Sequence, residues 1–145
     1  MEAYVIATAC TKFEKKADQT FKNLTEEVYC DLLKSAKVEN GNMIGQAWFG
    51  NCGMGTFGQN NIRGQVCFTP LVQKKLFPER VGIINVEGGC ATGSMAFHGA
   101  WKDVISGTED VSLAIGVEKI YQPNQPEKIQ EIYDGGIDQF DRNDW

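Results

Sequence analysis

Val81-Gly82-Ile83-Ile84-Asn85-Val86-Glu87-Gly88-Gly89-Cys90-Ala91-Thr92-Gly93-Ser94 joins a short apolar, β-branched run to a segment of helical periodicity. Residues 81–86 predict a strand. Residues 91–106 predict a helix with Phe97, Ala100, Trp101, Val104 and Ile105 as its hydrophobic stripe and Gly107 as its stop. Cys90 therefore falls at a strand-to-helix junction, where an α/β protein presents a nucleophile. A thiol there meets unpaired backbone N–H groups and the positive end of the helix dipole, both of which favour the thiolate. Gly88 and Gly89 permit sharp backbone angles and the close approach of a substrate. A buried structural cysteine beside a glycine-rich turn is the other reading open to the same residues.

Outward from this junction the chain alternates strands and helices. Ala3-Tyr4-Val5-Ile6-Ala7-Thr8-Ala9 is continuously apolar and reads as a first strand buried on both faces. Phe21, Leu24, Val28, Leu32 and Ala36 recur at helical spacing, and Asn40-Gly41 ends the pattern. Residues 44–49 predict a second strand, Gly50 through Gly58 a loop, and residues 59–76 a helix that Pro70 breaks or kinks. With the third strand at 81–86 and a fourth at 111–117, the order predicts an α/β fold with a mostly parallel sheet and right-handed crossovers. The strand ends near Cys90 form its active edge. After Ile120 the chain turns to Gln, Pro, Asn, Asp and Gly, a loop-rich extension in which Ile129, Ile132 and Tyr133 form either one helical turn against a partner or part of a mobile tail.

Composition narrows the function classes. At 145 residues, with 42% hydrophobic and 23% charged residues, the chain has a globular balance and can bury a core of its own. A formal net charge of -5 argues against a general nucleic-acid binder, since phosphate backbones are bound largely by Lys and Arg. No apolar run approaches a membrane span and no leader segment is visible, so a soluble, cytoplasmic protein is expected. Cys10, Cys30, Cys52, Cys67 and Cys90 are an odd number without paired short spacing, which fits free thiols in a reducing compartment rather than a disulfide framework or a zinc site. Cys10, Cys30 and Cys67 read as packing. Cys52, in Asn51-Cys52-Gly53-Met54-Gly55, is either structural or part of a flexible stretch that approaches the active site.

Asn85-Val86-Glu87-Gly88-Gly89-Cys90-Ala91-Thr92-Gly93, followed by Val111-Ser112-Leu113-Ala114-Ile115-Gly116-Val117-Glu118-Lys119-Ile120, resembles the nucleophile segment and next strand of thiolases. Phe49-Gly50-Asn51 and Gly58-Gln59-Asn60 fit the branch related to sterol-carrier-protein thiolases. The resemblance runs from about residue 3 to residue 120. It implies a thiolase-like layered α/β core at 1–120, one half of the usual two-half fold, and the start of a loop-rich insertion or tail at 121–145. Gly88-Gly89 stands where small alanine-type residues are common and Thr92 where serine is common, so acyl-chain preference does not carry over.

What the resemblance implies for chemistry is specific. Cys90 is the catalytic nucleophile, acyl-CoA is the substrate, and no metal or cofactor is needed beyond coenzyme A as part of that substrate. The family's activating His, its second oxyanion donor and its second, acid/base Cys come from a complementary C-terminal half that these residues do not include. The only histidine, His98, lies two helical turns beyond Cys90 on the face of Ser94 and Lys102, and reads as a surface or subunit-contact residue. A chain inactive alone, completed by a missing half or partner subunit in a homo- or hetero-oligomer, follows. Two other readings remain: a non-catalytic scaffold or lipid-handling subunit of a thiolase complex, and another condensing enzyme of the 3-hydroxy-3-methylglutaryl-CoA synthase or ketoacyl synthase type. A cysteine hydrolase would need a His base that the chain does not visibly place. Lys12, Lys15, Lys16, Lys74, Lys75 and Arg80 are either contacts for coenzyme A phosphates or solvated surface.

Overall fold

The computed structural model describes residues 2–141. Its first regular element is α1 (Phe21–Ala36), opened by a reciprocal cap in which Thr20 Oγ1 accepts from Asn23 N at 3.1 Å and Asn23 Oδ1 accepts from Thr20 N at 3.0 Å. Lys37, in the left-handed conformation, closes it. Strand β1 (Gln46–Gly50), helix α2 (Arg63–Gln73), strand β2 (Gly82–Val86), helix α3 (Thr92–Ser106), strand β3 (Ser112–Gly116) and helix α4 (Glu127–Asp134) follow, with 3-10 turns at Gly53–Phe57 and Gly89–Ala91.

The sheet has three strands in the order β2-β1-β3, and both pairings are parallel, with Gln46 opposite Gly82 on one side and Ser112 on the other. Strand alternation then sorts the side chains between two helical layers. Ala47 and Phe49 of β1 and Leu113 and Ile115 of β3 join Leu24, Tyr29 and Leu33 of α1 and Cys67, Phe68 and Leu71 of α2 in one apolar core. Tyr29, Phe68 and Phe77 meet edge to face there, with Phe68 and Phe77 centroids 4.5 Å apart. Trp48 and Ser112 point to the opposite layer, where both donate to Asp103 Oδ2 of α3 at 2.7 Å. One carboxylate thus fastens α3 to the central strand β1 and the edge strand β3.

Three sequence expectations change. Residues 3–9 are not a strand: among the described residues no backbone–backbone hydrogen bond involves them, and Tyr4, Val5 and Ile6 are exposed. Pro70 neither breaks nor ends α2, which runs on to Gln73, where Lys74 N donates to Pro70 O at 3.0 Å. The face that α3 turns to the sheet is Thr92, Ala96, Gly99 and Ala100, while Phe97 and Trp101 stay substantially exposed. Gly99 explains this exchange. A Cβ there would run into the Trp48 indole, so the helix packs through its smallest residues and turns its rings outward. The extension holds two turns of helix, α4, which packs on the 3-10 turn of 53–57; residue 1 and residues 142–145 of the expected divisions lie outside the described residues.

Candidate active site

Cys90 lies in the 3-10 turn Gly89–Ala91, between the end of β2 and the start of α3, with its side chain exposed. The turn is built by its neighbours. Gly89 has φ +57, a conformation that side-chain-bearing residues rarely adopt, and a Cβ on Gly88 would collide with Met95 Sδ. Buried Thr92 holds both glycines: its Oγ1 donates to Gly89 O at 2.7 Å and accepts from Gly88 N at 2.9 Å. Glu87 Oε1 accepts from Gly89 N at 2.6 Å, and Ala91 N donates to Gly88 O at 3.1 Å. Thr92 N donates to Gly89 O. Among the described residues the Cys90 N–H makes no hydrogen bond, so the turn leaves its central thiol and its central amide both unengaged.

A second thiol supports this turn from beneath. Cys52 Sγ lies 3.1 Å from Gly89 O, 3.0 Å from Thr92 Oγ1 and 3.7 Å from Glu87 Oε1. Burial pushes the Cys52 thiol above its ordinary range; the Thr92 hydrogen bond opposes the shift, while the charges of Glu118 and Glu87 add to it. Burial thus favours the neutral form of the Cys52 thiol. Its own backbone is fixed by Glu118, whose Oε2 accepts from Cys52 N at 2.9 Å and Gly53 N at 3.0 Å. Asn51, 3% exposed, donates to Val117 O at 2.7 Å and accepts from Met54 N at 3.0 Å, and Arg63 Nη1 donates to Asn51 O at 2.6 Å. The ends of β1, β2 and β3 thereby meet in one polar corner around residues 51–53, 87–92 and 117–118.

Several residues singled out in the sequence fall elsewhere. His98 is exposed and its ring stacks on Trp101, centroids 5.4 Å apart at 23°, so it leans toward Trp101 rather than standing with Ser94 and Lys102. Six residues of α3, about 9 Å of helix rise, separate it from Thr92. Cys67 is buried, Cys30 half-buried and Cys10 exposed, so packing describes the first two and not the third. Lys16 and Lys74 are paired with Glu27 and Glu26. Among the described residues no group of three or more His, Cys, Asp or Glu side chains could hold a metal ion, and no helix is long and apolar enough to cross a membrane. The sequence reading missed the support given by Thr92 and Asn51; Glu87 and Glu118, carboxylates near strand ends, read as partnered structural groups rather than acid/base ones, and each accepts backbone hydrogen bonds here. The only signal for Thr92 and Asn51 was position: a hydroxyl two residues after the cysteine, and an amide two residues after the second expected strand.

Comparison with known proteins gives the family. Residues 3–138 match the thiolase N-terminal domain. The chain is 32% identical over 117 residues to the benzoylsuccinyl-CoA thiolase subunit BbsB of Thauera aromatica, covering 81% of this chain and 28% of that protein. It is 31% identical over 117 residues to an acetyl-CoA acetyltransferase of Methanocaldococcus jannaschii, covering 80% of this chain and 28% of the relative. It is 28% identical over 121 residues to the corresponding enzyme of Methanothermobacter thermautotrophicus, covering 80% and 29%. The chain spans under a third of the length of these relatives. With a parallel α/β core and a cysteine turn between β2 and α3, the chain belongs to the thiolase family and carries its N-terminal domain.

Proposed function

We propose that this chain is the nucleophile-bearing part of a thiolase-type acyl-CoA C-acyltransferase, close to the sterol-carrier-protein-related branch, with Cys90 as the residue that becomes acylated. The observation that carries the reading is the turn itself: an exposed thiol whose own N–H is unengaged, beside a second thiol whose neutral form burial favours. The Cys90 thiolate attacks the acyl-CoA carbonyl, and the Cys90 N–H donates to the oxygen as negative charge develops on it. The bond from the carbonyl carbon to the coenzyme A sulfur breaks, and coenzyme A leaves and takes up a proton. A second acyl-CoA loses its α-proton to a base, its α-carbon attacks the Cys90 thioester, and 3-oxoacyl-CoA departs as the Cys90 thiolate is regenerated. Thiolysis is the reverse sequence.

In this reading the groups that activate Cys90 and remove the α-proton come from outside the described residues. His98 is turned onto Trp101, and the Cys52 thiol, pushed up by burial, is engaged with the turn. The reading therefore includes a complementary thiolase part that supplies them. Expected behaviour is negligible acetoacetyl-CoA cleavage by the purified chain alone and cleavage on reconstitution with the complementary part, abolished by Cys90→Ala. Robust cleavage by the chain alone, or unchanged cleavage by reconstituted Cys90→Ala, would contradict the proposal; the second outcome would favour a non-catalytic subunit.

A further inference from the structure

Two of the cysteines, 38 positions apart in the chain, meet at one turn. Cys52 Sγ lies 3.1 Å from Gly89 O, the carbonyl whose carbon is bonded to the Cys90 nitrogen. A planar trans peptide sets that oxygen about 2.8 Å from Cys90 Cα. Cys52 Sγ therefore stands within about 6 Å of Cys90 Cα, against about 3.5–4.5 Å for the same pair of atoms in a disulfide. The remaining gap is one that side-chain rotation and a small shift of the turn can close. Gly89 has φ +57 and open space where a Cβ would stand, so the turn has the freedom to make that shift. Neither sulfur is sealed off, since Cys90 is exposed and Cys52 half-buried. The other thiols are engaged elsewhere: Cys67 is buried with its Sγ 3.9 Å from Met54 Sδ, Cys30 lies on α1, and Cys10 Sγ donates to Thr11 O at 3.3 Å.

We infer that Cys52 and Cys90 form an oxidative modification site, at which a hydroperoxide oxidises Cys90 and Cys52 resolves the product as an intramolecular disulfide. Exposure decides the order of events, because the peroxide meets the Cys90 sulfur first. The Cys90 thiolate attacks one peroxide oxygen, the O–O bond breaks, and the departing hydroxide takes up a proton, leaving a sulfenic acid. The Cys52 sulfur then gives its proton to solvent and attacks the Cys90 sulfur. The S–O bond breaks, and hydroxide leaves and is protonated to water. Two thiols have lost two electrons and two protons, and the peroxide has become two waters. The disulfide removes the Cys90 sulfur from acyl transfer and keeps it from the sulfinic and sulfonic stages that thiols do not reverse. A dithiol reductant restores both cysteines. The inference shares Cys90 with the acyl-transfer reading, yet it needs neither acyl-CoA nor a complementary part.

Hydrogen peroxide in slight excess over the intact chain is the probe, read by peptide mapping without reductant. The expected product is a Cys52–Cys90 cross-linked peptide pair, formed within one chain and returned to free thiols by dithiothreitol. In Cys52→Ser the Cys90 sulfur is expected to reach the sulfinic acid at least about fivefold faster than in the parent, whereas Cys10→Ser leaves the cross-link unchanged. A cross-link from Cys90 to another cysteine, or one formed only between two chains, would overturn the proposal. So would sulfinic acid appearing on Cys90 at the same rate with and without Cys52, or a Cys90 thiol that stays free while the peroxide oxidises Cys10. Failure here leaves acyl transfer to Cys90 standing, and a chain that forms the disulfide without accepting an acyl group leaves the modification site standing.

Discussion

At the scale of residues, Thr92 does most to hold the cysteine turn, because one buried hydroxyl serves Gly88 N and Gly89 O at once. Thr92→Val keeps the shape and removes both bonds, so urea unfolding is expected to show a loss of about 1–3 kcal/mol, whereas Thr92→Ser stays near the parent. Equal stability of the three proteins would remove Thr92 from this role. The place of Cys90 was legible because glycines before a cysteine, after an apolar run and before helical periodicity, specify a strand, turn and helix locally. The partners of Cys52 were not legible, since they come from Gly89 and Thr92, 37 and 40 residues away, and only the closed sheet brings them together.

Among the elements, α3 shows how packing overrides pattern. Its large rings predicted the buried face, but the contact with β1 is so close that only Gly99 admits Trp48. Gly99→Ala would gain helix propensity of about 1 kcal/mol yet push a methyl into the indole, and the overpacking cost of about 1–3 kcal/mol wins. The expected result is a lower unfolding midpoint with altered tryptophan fluorescence; a higher midpoint would show that α3 can move off the sheet. Residues 3–9 read as a strand for the right chemical reason, but a strand is a property of a pair. Among the described residues nothing pairs with residues 3–9, and their composition alone cannot close a ladder. The helices α1 and α2 and the other three expected strands depend on near neighbours or on strands present in the chain, and these were legible to within a few residues.

For the whole molecule, the core carries titratable groups held neutral. Burial raises the thiol of Cys67 and the phenol of Tyr29 above their ordinary ranges. Between the unfolded and folded values the unfolded state binds fewer protons, so stability is fully present below the unfolded pKa and falls as pH rises through the folded one. The urea midpoint is therefore expected to be flat through neutral pH and to fall once pH passes about 8.5, less steeply in Cys67→Ala. A flat midpoint to strongly alkaline pH would contradict the buried placement of these groups. The outward rings of α3, Phe97 and Trp101, leave apolar surface exposed. The central claim is that Cys90 is the sulfur that accepts the acyl group, and it is tested most directly by peptide-mapping mass spectrometry of the chain, with its complementary part, after incubation with acetyl-CoA. The account predicts a hydroxylamine-labile acetyl thioester on Cys90 and none on Cys10, Cys30, Cys52 or Cys67; an acetyl group on another cysteine, or on none, would contradict it.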